Sequence, residues 1–142
     1  MLIFWGVDIQ EANLLGANLL GVDFRGADLR EAKIDDIIAA RLSILQDEGD
    51  IVGWKKCQNN VIVKLLIRDG TPRSNSTGRS CRAKEATVLQ VFGAKCGYSN
   101  YNSNFIYETG KTVECEHWDE DRWNECSGGI HFFITRVEAE EY

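Results

Sequence analysis

Between Val7 and Asp36 a large apolar residue recurs at every fifth position: Ile9, Leu14, Leu19, Phe24, Leu29 and Ile34. Two places before each stands a small apolar residue, Val7, Ala12, Ala17, Val22, Ala27 and Ala32. The position between is Asp or Asn in every unit but the last, where Lys33 stands. A helix repeats every 3.6 residues and a strand every two, so neither keeps this register over thirty residues. The chain here must wind as a coil with a repeat of its own. Leu15 and Leu20 break the pattern by placing apolar side chains at outward positions.

The period then changes. Ile34, Ile37, Ile38, Leu42 and Leu45 follow helical spacing, Asp35 and Asp36 suit a first turn and Gly49 suits a stop, which predicts a capping and linking helix over 37–49. Beyond it the chain reads mainly as strands. Trp54–Cys57 and Val61–Ile67 flank Gln58-Asn59-Asn60, a hairpin signal, and Val61, Val63, Leu65 and Ile67 fall on one face. Arg68–Gly78 is a turn-rich loop with the only proline, followed by a strand over Thr87–Phe92. Phe105–Tyr107 and Thr112–Cys115 read as short strands about a Thr109-Gly110 turn. Gly129–Ile134 is a further strand, and Thr135-Arg-Val-Glu138 is a capping box opening a terminal helix. The fold class expected is α+β, mostly β: a repeat segment over 1–36, the linking helix over 37–49 and an antiparallel mixed module over 50–142.

The five-residue pattern resembles the pentapeptide-repeat family, with consensus A(D/N)LXX. The resemblance implies a short right-handed β-helix, four units to a coil, with the large third and small first residues inward. Six units make about one and a half coils, which bury little and need capping. Longer members of that family imitate DNA with an acidic rod. This stretch departs from them: its outward charges are mixed (Asp8, Glu11, Asp23, Arg25, Asp28, Arg30, Glu31, Lys33) and it is short. Residues 50–142 resemble an uncharacterised domain that follows such repeats in tailed-phage proteins. Three blocks carry the likeness: Arg79-Ser-Cys81-Arg82-Ala83, Tyr107-Glu-Thr-Gly110-Lys-Thr-Val113 and Cys126-Ser-Gly-Gly-Ile-His131-Phe-Phe-Ile-Thr135. The resemblance implies a phage or prophage origin and no particular activity.

Charge and cysteines narrow the classes. A net charge of −6 disfavours a general nucleic-acid surface, and no direct DNA binding is expected. No apolar run approaches the ~18 residues of a membrane span and no signal-peptide pattern is read, so a cytoplasmic protein of the infected host is expected, without membrane contact. The five cysteines are widely spaced and odd in number, which favours reduced thiols. No Cys-x2–4-Cys pair is present; Cys115-Glu-His117 and Cys126-x4-His131 come nearest, and neither a metal nor a cofactor is expected. Cys126 and His131, across a Gly-Gly turn, could meet, but strand alternation makes His131 a partly buried structural residue.

The chemistry that stands out is anion recognition. Arg68, Arg73, Arg79, Arg82 and Lys84 fall within seventeen residues, interleaved with Ser, Thr, Asn and Gly. Guanidinium forks suit phosphate. Tyr98, Tyr101, Trp118 and Trp123 offer faces on which a base could stack. The candidate ligand residues are Arg73, Arg79, Arg82, Lys84, Tyr98, Tyr101, Trp118, Trp123 and His131, with no catalytic residue assigned. The function expected is a non-enzymatic phage accessory, counter-defence protein that sequesters a small nucleotide-like ligand. The alternatives are an inhibitor of a host defence enzyme, working through the repeat face or the acidic loop 118–123, and an enzyme acting on a nucleotide. Leu15 and Leu20 predict a homo-oligomer formed through the repeat.

Overall fold

The computed structural model describes residues 3–142; Met1 and Leu2, the start of the apolar N-terminal segment, lie outside the described residues. In the repeat, single parallel bridges join Ile3 to Asp23, Asp8 to Asp28 and Asn13 to Lys33, each pair twenty residues apart. Each unit therefore stacks on the unit four later. The ladder alternates in direction: Ile9 N–H donates to Asp28 O at 3.0 Å, and Asp28 N–H to Val7 O at 2.9 Å. The sequence pattern now has physical causes. Leu19, Phe24 and Leu29 are buried because the third place points inward, and the Phe4 and Phe24 rings meet at 5.4 Å. Asp or Asn at the second place accepts the N–H two residues on, as Asp8 does from Gln10, Asn13 from Leu15, Asp23 from Arg25 and Asp28 from Arg30. That side-chain turn bends the chain at each corner. The fifth place is left-handed in every unit before the last, filled by Gly6, Gly16, Gly21 and Gly26 but by glutamate at Glu11 and Glu31; in the last unit it is Asp36, which opens a helix.

Helix α1 (Asp36–Leu42) follows, shorter than the predicted 37–49. Its last turn is closed from outside: buried Asn75 donates its side-chain amide to Leu42 O at 2.8 Å and accepts from Ile44 N–H at 3.0 Å. Those two bonds replace continued helix, and residues 43–50 run on without helical structure. Ile38 of α1 packs with Leu19, Phe24, Ala27 and Leu29 of the repeat and with Trp123 from far along the chain.

Strands β1 (Ile51–Lys56) and β2 (Ile62–Ile67) form the expected hairpin, its turn made by Gln58–Asn60 with Asn59 and Asn60 left-handed. β2 buries Val63, Leu65 and Ile67 completely, which is the alternation read from sequence. The loop around the proline contains a short strand β3 (Arg73–Asn75), and Cys81–Ala83, read as preceding a strand, is itself strand β4. β5 (Glu85–Phe92) pairs with β2 through an irregularity at Lys64/Leu65. After β6 (Gly97–Tyr98) come β7 (Ile106–Tyr107) and β8 (Thr112–Glu114). These last two are not partners of one another: β7 pairs with β6 and β8 with β5. β9 (Ile130–Phe132) pairs with β4, and Thr135 caps helix α2 (Arg136–Glu141) by accepting from Glu138 N–H.

The sheets run β1-β2-β5-β8, β3-β4-β9 and β6-β7, all antiparallel. A bridge between Trp54 and Phe133 ties the first sheet to the second. Gly53 makes that junction possible, because a Cβ there would lie 2.4 Å from the ring of Phe132. Among the described residues no helix is long and apolar enough to cross a membrane.

Two substitutions test this account. Gly53→Ala forces Phe132 out of its place and should cost about 1–3 kcal/mol, read by urea unfolding. Glu11→Gly relieves a left-handed glutamate and should add about 0.5–1 kcal/mol, the conformational relief less the glycine entropy.

Candidate functional site

Strand alternation aims an unusual side chain at the core. On β1, Gly53 and Lys55 are buried while Val52, Trp54 and Lys56 are not, so Lys55 shares the face opposite Val63 of β2. Its amine donates to His131 O at 3.1 Å and stands 5.9 Å from the centre of the Tyr107 ring. Among the described residues it has no carboxylate partner within ion-pair distance. Burial holds its pKa below the usual lysine value.

Lys55 lines a cavity of about 760 Å³. Its lining includes the buried Tyr107 and Ile130, residues 99–102 and Phe105, Phe133, residues 115–117 and Glu125, Cys126, Gly128 and Gly129. At the rim the hydroxyls of Tyr101 and Tyr142 meet at 2.8 Å, and Tyr142 rests on Phe133 with ring centres 5.4 Å apart. Lys56 also lines it, its amine donating to Glu140 O at 3.2 Å. His131 Nε2 lies 2.9 Å from Ser127 O, which can only accept, so that nitrogen carries the proton and Nδ1 is left as an acceptor. Burial lowers the His131 pKa and raises those of Glu125 and Cys115, so each is pushed toward its neutral form. The fully buried Cys57 and Cys81 are pushed up to about 11 and about 12, away from thiolate chemistry. Among the described residues no group of three or more His, Cys, Asp or Glu is placed to hold a metal ion.

One wall depends on Arg82. This arginine of β4 is buried, and its guanidinium donates to Asp119 O, Gly128 O and Asp121 O while lying 4.7 Å from the centre of the Trp118 ring. Asp119 in turn accepts from Ser127 Oγ at 2.6 Å and Asn124 at 3.0 Å. Gly128 admits no side chain, since a Cβ would fall 1.7 Å from His117 O.

The residues expected to hold an anion are mostly used inside the fold. Arg73 donates to the carbonyls of Thr71, Gly49 and Arg68. Arg79 forms a two-pronged ion pair with Glu138 at 2.8 and 2.9 Å. Arg82 is the loop anchor just described. Trp123 is buried against the repeat with Arg122 over its ring at 4.4 Å, and Trp118 is covered by Arg82. Lys84 and Tyr98 are exposed and do not line the cavity. The physical reason is that backbone carbonyls at loop ends need donors, and arginine supplies several at once. Of the nine, Tyr101 and His131 line the cavity. Lys55, Lys56, Tyr107, Phe133 and Tyr142 were not singled out from sequence. The signal for Lys55 was its position in phase with an apolar strand face.

Because His131 is held neutral, the folded protein resists protonation there while the unfolded chain takes a proton near 6.5. Stability should be fullest above that pH and fall as the pH drops below it, by at most about 1.4 kcal/mol per pH unit. Urea unfolding from neutral pH to about pH 5 reads the slope, and His131→Gln should flatten it.

Among curated proteins and among solved structures no match is found. Pentapeptide repeats (8 copies) match residues 4–37, and a family of unknown function, DUF5758, matches residues 42–139. The chain thus belongs to the DUF5758 family, with pentapeptide repeats ahead of the family's domain.

Proposed function

We propose that this chain is a non-enzymatic ligand-holding protein whose site is the 760 Å³ cavity, and that its ligand is small, anionic and ring-bearing, as a phosphorylated nucleotide-like molecule is. The observation that carries the reading is a concave site of ligand size with an apolar body and few convergent polar groups. Tyr101, Phe105, Tyr107, Phe133 and Tyr142 supply ring faces, and Lys55, Lys56 and His131 supply donors or charge. Burial raises the pKa of Cys115, the half-buried thiol in the lining, which disfavours thiolate chemistry there. The domain's resemblance implies a phage or prophage origin, and sequestration by a phage accessory, counter-defence protein in the infected cell is the setting proposed with it.

Calorimetry against a panel of nucleotides tests the reading. One member of the panel should bind, Tyr101→Ala should weaken it about tenfold, and Arg79→Ala, which lies away from the cavity, should leave it unchanged. Absence of binding to every nucleotide overturns it.

The repeat supports a second role. Parallel bridges at twenty-residue spacing favour the right-handed β-helix that the pentapeptide pattern implies. Leu15 and Leu20 are 55 % and 56 % exposed on it, joined by Trp5 and Ile37 as exposed apolar groups. Contact with a second copy, or with a host defence protein, would cover them. Light scattering should give more than one chain per particle, and Leu15→Asp with Leu20→Asp should return it to a monomer.

A further inference from the structure

We propose that Lys55 is a covalent anchor, capturing a ligand that carries an aldehyde or ketone as an imine on the cavity wall. The inference rests on the reading of this cavity as a ligand site and adds the chemical class of ligand that it takes.

Three features of the site lead there. Lys55 is more than nine-tenths buried, yet it lines a cavity large enough for a small organic molecule. Its amine has one hydrogen-bond acceptor, the carbonyl of His131, and no carboxylate partner among the described residues. A surface lysine keeps its charge in water, and a buried structural lysine normally keeps it with an acid. Lys55 has neither support, and burial pushes it toward the uncharged amine, against the weak cation–π pull of the Tyr107 ring at 5.9 Å. An uncharged, desolvated amine facing an apolar pocket is the nucleophilic form of lysine.

The step balances without a further reactant. The nitrogen lone pair attacks the carbonyl carbon, and the carbonyl oxygen takes up a proton as the amine gives one up, forming a carbinolamine. The hydroxyl then leaves as water as the carbon–nitrogen double bond forms. Solvent entering at the open rim is the acid that protonates the leaving hydroxyl. If the imine is protonated, its N–H can keep the bond to His131 O that the amine makes now.

The test uses two probes on the full chain: 4-formylphenyl phosphate, and the matching alcohol, 4-(hydroxymethyl)phenyl phosphate, which can occupy the site but form no imine. Aldehyde-treated protein is reduced with borohydride and peptide-mapped by mass spectrometry. The expected result is an adduct on Lys55, formed at neutral pH about tenfold faster than on exposed Lys95 or Lys111 for each unit by which the Lys55 pKa is lower. Lys55→Met should lose that adduct, and Lys56→Gln should keep it. Adducts spread evenly over the lysines, or no adduct, overturn the proposal; this is read on the wild-type chain, so it stands even if Lys55→Met does not fold. Binding of the alcohol to wild-type protein without labelling of Lys55 by the aldehyde removes the covalent step and leaves the cavity as a binding site. Failure of both probes to bind removes both readings for this ligand class.

Discussion

The guanidinium of Arg82, out of water and tied to the carbonyls of Asp119, Asp121 and Gly128, joins two otherwise separate parts of the structure. On one side of that anchor, His117, Glu125, Cys126 and Gly128 wall the cavity. On the other, Asp121 accepts the N–H of Glu31 at 2.9 Å, and Trp123 packs into the apolar interior of the repeat. A buried charge costs several kcal/mol in desolvation, and it is tolerated here because carbonyl acceptors and the Trp118 face surround it. The loop has little regular structure of its own, so its shape is set by what Arg82 requires.

The repeat is capped in the same way. The stacked units leave some backbone groups without partners in the stack, and neighbouring side chains supply them. The Gly16 N–H donates to Asp35 and the Glu31 N–H to Asp121, while Arg122 ties the same loop to Ala39 O of α1 and Asn75 O of β3. Helix α1 contributes Ile38, with Ala39 and Leu42 packed beside it, and the loop contributes Trp123. Repeat and domain therefore share an interior, in which Trp123 packs with Leu19, Phe24, Ala27 and Leu29.

The cavity wall shows the opposite compromise. The face of β1 and β2 that buries Val63, Leu65 and Ile67 also contains Lys55, which lines the cavity. An apolar residue there would pack against Tyr107 and close the cavity floor. The lysine retains a polar group where the sheet meets the pocket, and departures from local pattern of that kind concentrate at functional sites.

Features that depend on near neighbours were legible along the chain. The five-residue period placed Leu19, Phe24 and Leu29 inside, the Asp and Asn of the second place at the corners, and the alternation of Val61 to Ile67 on one face. Each follows from contacts or hydrogen bonds spanning a few residues, so the local pattern carries it. The Gln58–Asn60 turn and the Thr135 cap were legible for the same reason. Helix α1 stopped early because Asn75, more than thirty residues on, takes its last carbonyl, and no local pattern records that. Arg73, Arg79 and Arg82 form a basic cluster in sequence, but folding aims them at carbonyls and at Glu138, and their company along the chain could not reveal it. The cavity was decided by tertiary structure alone. It gathers Lys55, Tyr101, Tyr107, His131 and Tyr142 from five separate segments, and their meeting depends on long-range strand pairing and on the loop that Arg82 holds.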